Sequence, residues 1–456
     1  MMWTAESIEA AVSAQREFFL SNATLDVEWR IEQLRKLKAA IVSHEEELIE
    51  ALGADLGRSP TEAYFCDIGS TIMEINETIR GLRRWARPEV HFSGLACFPS
   101  TFTRVYKMPY GVTLIVSPFN FPILLSLGVL TASIAGGNTA VIKASSKSAH
   151  CTAALQRLIA DAFPPEYVTV VDGGHDIADL CLEQRFDKIF YTGSPRVGRH
   201  VMEMASRNLT PVALELGGET GNWCVIRRDA DIRDAARKIG FFKMLNAGQI
   251  CINVNQVAVA EELAEEFLAA LGSEIGRQIG SNALANPEYP RLVSADAYRK
   301  CAEEAELYRD RIVFGGTGDP EALKYAPTVI YPVGIDEPIV QHELFNPLLP
   351  VVTFKDDEVD SLMETIARRE HGLSLYVFTR DMAWARRVMS TQQYGGGCIN
   401  EVCWHRHGQG RPLRWNGAFG HGGLPRGVGL PRVHAPDHGP RGPHALQPTT
   451  ARASIR

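Results

Sequence analysis

Apolar residues recur at helical spacing through the opening of the chain. Ala5 to Phe19 reads as an amphipathic helix. From Val27 to Leu52, Trp29, Ile31, Leu34, Leu37, Ile41, Leu48 and Leu52 share one face with charged residues between them, which predicts a single second helix. Ser59-Pro60-Thr61-Glu62 is a helix start, and the helix it opens runs to about Trp85, where Arg87-Pro88 ends it. Val90 to Val105 mixes β-formers with Gly94 and Pro99, as a loop or an edge hairpin does.

From Gly111 the period changes. Short apolar runs at 111–117, 139–143, 167–171, 188–192 and 212–216 alternate with helical stretches at 123–135, 149–163, 177–184 and 196–206. That alternation predicts βαβ units and a parallel sheet with ligands at the carboxyl ends of its strands. It restarts after Asp231: helices at 231–245, 261–275 and 297–309, and strands at 257–260, 328–331, 349–354 and 374–378, predict a second α/β unit.

The bulk numbers narrow the function. A chain of 456 residues calls for two or three domains. Its 45% hydrophobic and 22% charged residues are those of a soluble globular protein. A net charge of −7 argues against a nucleic-acid partner. Nine cysteines scattered singly suggest a reducing compartment, the cytoplasm, and no metal site. Met1 to Leu20 lacks the regions of a signal peptide. The uncharged run from Met108 to Ile142 is broken by proline, glycine and polar residues before ~20 apolar residues accumulate, so no membrane segment is expected.

Candidate chemistry centres on Asn246-Ala247-Gly248-Gln249-Ile250-Cys251-Ile252-Asn253. A cysteine among small and polar neighbours suits a nucleophile served by main-chain N–H groups, although a lone cysteine is commonly a small buried hydrophobe. Glu215 ends an apolar strand before Gly217-Gly218, where a partly desolvated carboxylate can act as a general base; a strand-end surface glutamate is the plainer reading. Asn120, between Phe119 and Phe121, offers an amide to an oxyanion or serves only the turn. Thr192-Gly193-Ser194-Pro195-Arg196-Val197-Gly198 joins a strand to a helix and could seat a phosphate, or is a plain glycine turn. Lys143 and Glu343 are candidate ribose ligands and equally strand-end or turn residues.

In this order, Pro118-Phe119-Asn120-Phe121-Pro122, Lys143, Gly193-Ser194 with Gly198, Glu215-Leu216-Gly217-Gly218, Gly248-Gln249-Ile250-Cys251 and Glu343-Leu344-Phe345-Asn346-Pro347 resemble the NAD(P)-dependent aldehyde dehydrogenase superfamily over roughly 34–400. The part before Gly111 is similar to the shorter branch with class 3 and coniferyl aldehyde dehydrogenases. The resemblance implies an α/β fold of two Rossmann-like domains plus a small bridging and oligomerisation element. It implies a cofactor-binding domain at 1–216 with a bridging hairpin near 88–108, a catalytic domain at 217–404, and a homodimer. It implies Cys251 as nucleophile, Asn120 and the Cys251 N–H as oxyanion hole, and Glu215 as base for the deacylating water. Ser117, Lys143, Ser146, Gly193, Ser194, Gly198, Leu216, Glu343 and Phe345 would line the site for NAD or NADP. The implied reaction takes an aldehyde through a hemithioacetal and a thioester to the acid. A CoA-acylating enzyme and an impaired dinucleotide-binding protein are the alternatives.

Four departures stand out. Ser146 occupies a position where the family often has a ribose-binding glutamate, which leaves NADP open. Phe119 replaces a tryptophan, and Glu219-Thr220-Gly221 replaces Lys-Ser-Pro. Beyond Trp404 the chain turns rich in Arg, Gly, Pro and His, so 405–456 reads as an aberrant, disordered tail. With suitable codons, the stretch from Arg411 read one nucleotide over gives Gly-Pro-Phe-Gly-Gly, an element of the family, which predicts a frameshift between Trp404 and Arg411.

Overall fold

In the computed structural model, residues 3–92, 102–218, 220–407, 413–415 and 420–424 are described. An edge hairpin pairs β1 (Glu89–Phe92) antiparallel with β2 (Phe102–Val105), as the sequence suggested. The first large sheet holds β3 (Val112–Val116), β4 (Thr139–Lys143), β5 (Val168–Val171), β6 (Lys188–Gly193) and β7 (Val212–Leu216). They lie parallel in the order β5-β4-β3-β6-β7. The order reverses between β3 and β6, so a ligand crevice opens beyond Ser117 and Gly193-Ser194.

Strand alternation sorts the core. Ile115, Ile142, Val170, Phe190 and Ala213 face one layer, built largely from the helices of the first 163 residues. Val112, Leu114, Val141, Ile189, Tyr191, Leu214 and Leu216 face the other. Glu215 therefore shares the face of Ala213 at the end of β7. The helix Leu124–Ala135 is buried all round, because it packs between the first sheet and the helices Val27–Ser43 and Gly69–Trp85, while Leu124 and Leu125 at its start join the core of the second sheet.

The second sheet comprises β8 (Trp223–Ile226), β9 (Gln256–Ala260), β10 (Ile312–Phe314), β13 (Thr328–Ile330), β14 (Leu348–Phe354), β15 (Ser374–Phe378) and β16 (Gly396–Ile399). Its order is β10-β13-β14-β9-β8-β15-β16, and only β10 runs antiparallel to its neighbour. A two-residue ladder of β11 (Gly318–Asp319) with β12 (Lys324–Tyr325) lies apart.

Two expectations change. The single helix over 27–52 is two, Val27–Ser43 and Glu45–Leu56, broken at His44. The His44 ring bonds Glu47 at 2.7 Å and Asp161 at 2.9 Å, and Glu45, Glu46 and Glu47 supply the negative charge a new helix N-terminus favours. The tail is not structureless where it is described: β17 (Leu413–Trp415) and β18 (Gly420–Leu424) form a hairpin whose second strand adds antiparallel to β7. Main-chain pairing to an open sheet edge needs no apolar periodicity, which is why composition missed it. The rest of the predicted disorder falls outside the described residues.

Gly111 starts the strand that leads to the Asn120 turn. It sits at φ 134°, and a Cβ there would strike the carboxylate of Asp187, which accepts the Val112 N–H at 2.8 Å and pairs with Arg16 at 3.0 Å. Gly111→Ala is expected to destabilise the protein by about 1–3 kcal/mol, read as a lower thermal midpoint.

Candidate active site

The Cys251 loop is built against backbone preference. After the helix Ile232–Met244, Asn246, Ala247 and Gly248 take φ of 51°, 49° and 78° in succession. Left-handed non-glycine residues cost about 1–2 kcal/mol each, so surrounding bonds must hold them. The Asn246 N–H donates to Glu62 Oε1 at 2.6 Å, and its amide donates to the carbonyls of Asn120 and Gln249, both at 3.0 Å. The Gln249 side chain donates to the carbonyls of Asn246 and Arg291 and accepts from the Val293 N–H. A Cβ on Gly248 would collide with the carbonyl of Asn346, so the Glu343–Pro347 segment lies directly on this turn.

Three residues on, Cys251 is partly exposed, and its Sγ lies 3.6 Å from Glu215 Oε1. The second carboxylate oxygen accepts from the Thr192 hydroxyl at 3.4 Å. Burial pushes the thiols of Cys151, Cys224, Cys301 and Cys403 well up and that of Cys398 up to about 11. Those thiols are poor thiolates. Asn120 is buried and donates through its side-chain amide to the Gln249 carbonyl at 3.1 Å, within the Cys251 loop; an amide nitrogen carries a second N–H.

A cleft of about 830 Å³ reaches this pair. Its walls include Phe65, Phe121, Leu125, Phe242, Ile252 and Trp404, with no lysine, arginine or histidine among the described residues that line it. Phe65 and Cys66 project from a π-helical turn, Tyr64–Ile68, inside what the sequence read as one continuous helix.

The other candidates lie around the crevice of the first sheet. Lys143 ends β4 with its ammonium bonded to the carbonyls of Ala144 and Gly173, at 2.7 and 2.8 Å, and burial lowers its pKa. Ser146 is exposed just beyond. The Ser117 hydroxyl accepts from Ser126 at 2.7 Å. Ser194 caps the helix Pro195–Ser206, its hydroxyl accepting the Val197 N–H, so Gly193 and Ser194 stand at a helix N-terminus. Gly198 lets that helix close on Leu216, which a Cβ would meet at 2.9 Å. Phe345 packs edge-on against Phe119 at 5.9 Å.

Glu343 is half-buried as a residue, yet its Oε1 is enclosed and has no hydrogen-bond partner among the described residues. The carboxyl abuts Gly217, where a Cβ would overlap both its oxygens, and burial pushes it up to about 8. An orphaned carboxyl aimed at the glycine beside Glu215 and Leu216 fits a ligand hydroxyl, as a ribose offers. The residues present fit a dinucleotide.

Sequence reasoning missed Asn222. Fully buried, it donates to the carbonyls of Cys251 and Asn253, both at 2.8 Å, and accepts from the Ser374 N–H at 2.7 Å. Its one visible signal is an asparagine directly before the apolar run of β8. Of the substituted Glu219-Thr220-Gly221, Glu219 lies outside the described residues; Gly221 stands at φ 71°, which proline cannot adopt, so glycine here serves a differently turned loop.

The Aldehyde dehydrogenase family model matches residues 2–414. The 4,4'-diaponeurosporen-aldehyde dehydrogenase of Staphylococcus aureus is 35% identical over 91% of this chain and 89% of its own length. Human aldehyde dehydrogenase family 3 member B1 is 35% identical over 89% of this chain and 86% of its own. A solved structure titled as the substrate-bound state of Staphylococcus aureus AldH superposes with a TM-score of 0.88 at 34% identity, covering 92% of this chain and 90% of that one. A match running through the Cys251 loop and both sheets, with relatives of this identity and coverage, means that the chain belongs to the aldehyde dehydrogenase family.

Proposed function

We propose that Cys251 and Glu215 carry the two halves of the reaction, and the observation that supports this most is the 3.6 Å approach of Sγ to Oε1 on the wall of the cleft. The overall activity is oxidation of an aldehyde to a carboxylic acid by NAD(P)+. The Cys251 sulfur adds to the aldehyde carbon, and the Asn120 amide with the Cys251 N–H stabilises the oxyanion that results. When bound, the nicotinamide cofactor accepts the hydride, leaving an acyl thioester on the sulfur. Glu215 then takes a proton from water, which attacks the thioester and frees the acid. A carboxylate held this close to sulfur supports hydrolysis over transfer to CoA. Asn222 holds the Cys251 carbonyl and so the direction of the nucleophile.

The cofactor residues are Ser117, Lys143, Ser146, Gly193, Ser194, Gly198, Leu216, Glu343 and Phe345. Residues 1–216 serve as the cofactor domain and 217–404 as the catalytic domain. Apolar walls and the lack of cationic side chains among the described lining residues favour neutral, apolar aldehydes over carboxylate- or phosphate-bearing ones. The exposed side chains of Val90, Tyr106 and Met108 on the bridging hairpin and just after it support a homodimer made through that element. No helix among the described residues is long and apolar enough to cross a membrane, and nine scattered cysteines suit the cytoplasm. A shifted reading frame between Trp404 and Arg411 accounts for the tail; the family match stops at residue 414. A read of the coding DNA with no shift would exclude it.

Cys251→Ala is expected to abolish NAD(P)H formation, first turnover included, while cofactor still binds by fluorescence titration. Glu215→Gln is expected to keep a stoichiometric NAD(P)H burst and to slow the steady state by roughly 10²-fold or more. Cofactor affinity should depend on pH. With its carboxyl pushed up to about 8, Glu343 is largely protonated at neutral pH, and a ribose hydroxyl donates best to the ionised form. Binding should therefore tighten by more than ~10-fold as pH rises from about 6 to 8 and level off above. Glu343→Gln should flatten that titration; an unchanged slope would remove Glu343 from the ribose site.

A further inference from the structure

Arg58 is a buried cation beside the chemistry for which the reaction has no use so far. Its guanidinium is fully enclosed and divides its donors among three segments. Nη2 donates to the Asn120 carbonyl at 2.6 Å, Nε donates to Asn246 Oδ1 at 3.1 Å, and Nη1 pairs with Asp67. The other oxygen of Asp67 accepts the N–H groups of Ile123 and Leu124, at 3.1 and 2.8 Å, which begin the helix after the Asn120 turn. The guanidinium also lies over the Phe121 ring, 4.7 Å from its centre. Burial opposes the charge, and Asp67 and Glu62 more than offset it, so Arg58 stays cationic.

We infer that Arg58 is the positioning residue of the oxyanion site. It clamps the main chain of Asn120 and, through Asn246, the left-handed turn ahead of Cys251, so that the Asn120 amide and the Cys251 loop keep a fixed separation. This rests on Asn120 being an oxyanion donor. The fork geometry is needed: a lysine supplies charge but cannot reach the Asn120 carbonyl, Asn246 and Asp67 in one plane. Arg58 itself touches neither substrate nor cofactor in this role.

The test is a double-mutant cycle on the first-turnover rate of NAD(P)H formation at saturating aldehyde and cofactor, with cofactor affinity and thermal midpoint measured in parallel. Asn120→Ala is expected to slow that turnover by about 10²–10³-fold. Arg58→Lys is expected to slow it by ~10-fold or more in the parent, yet by less than about 2-fold in the Asn120→Ala background, with cofactor affinity unchanged. Equal slowing in both backgrounds would mean that Arg58 acts on stability or on other groups, and would overturn the inference while leaving Asn120 in place. An unchanged turnover in Asn120→Ala would overturn the oxyanion reading itself, and the inference with it. If Arg58→Lys does not fold, Asp67→Asn, which releases Arg58 at constant volume, takes its place in the cycle with the same two outcomes.

Discussion

A sulfur and a carboxylate that approach within 3.6 Å come from opposite sides of the molecule's main division: Glu215 closes the first parallel sheet, and Cys251 leads into the second. Neither sheet alone makes a site. What brings them together is the packing of the wholly buried helix Leu124–Ala135 on both cores and a set of side chains that cross the boundary. Asn222 ties the Cys251 loop to β15, Glu62 and Arg58 tie it to the N-terminal helices, and Gly217 and Gly248 let the Glu343–Pro347 segment lie on both partners at once.

The positive φ angles at Asn246 and Ala247 hold backbone strain in the turn ahead of Cys251. Left alone, the turn would relax. It persists because the buried amides of Asn246 and Gln249, with Glu62 and Arg58, hold it by hydrogen bonds. Leaving one of these buried groups unsatisfied costs about 1–3 kcal/mol, comparable with the strain itself, so the bonds and the turn depend on one another. Glu343 is the opposite case. Its enclosed Oε1 has no partner among the described residues, which is what supports the proposal that it meets a ligand hydroxyl.

Much of this was legible in the sequence. The strands and helices predicted from Gly111 onward are all present, because a parallel sheet covered on both faces leaves unbroken apolar runs, whereas the short strands β8, β10 and β16 were not predicted. Cys251, Glu215 and Asn120 could be singled out because each lies at a strand end or glycine turn that frees its side chain. The break at His44 was not legible, since the apolar stripe continues across it and only a partner 117 residues away reveals the turn. Arg58, Asp67 and Asn222 were equally silent: each reads as an ordinary polar residue until the fold supplies carbonyls and amides from distant segments. The Tyr64–Ile68 π-turn keeps helical composition while shifting its phase, and so leaves no trace in periodicity. The hairpin after Trp404 rests on main-chain pairing to β7, which composition cannot register.

The most direct test of covalent catalysis at Cys251 is the mass of the acid-quenched Glu215→Gln protein after one turnover with aldehyde and NAD(P)+. An acyl adduct on the peptide containing Cys251, removed by hydroxylamine, is the predicted result. NAD(P)H formed at full stoichiometry with that peptide unmodified would contradict it.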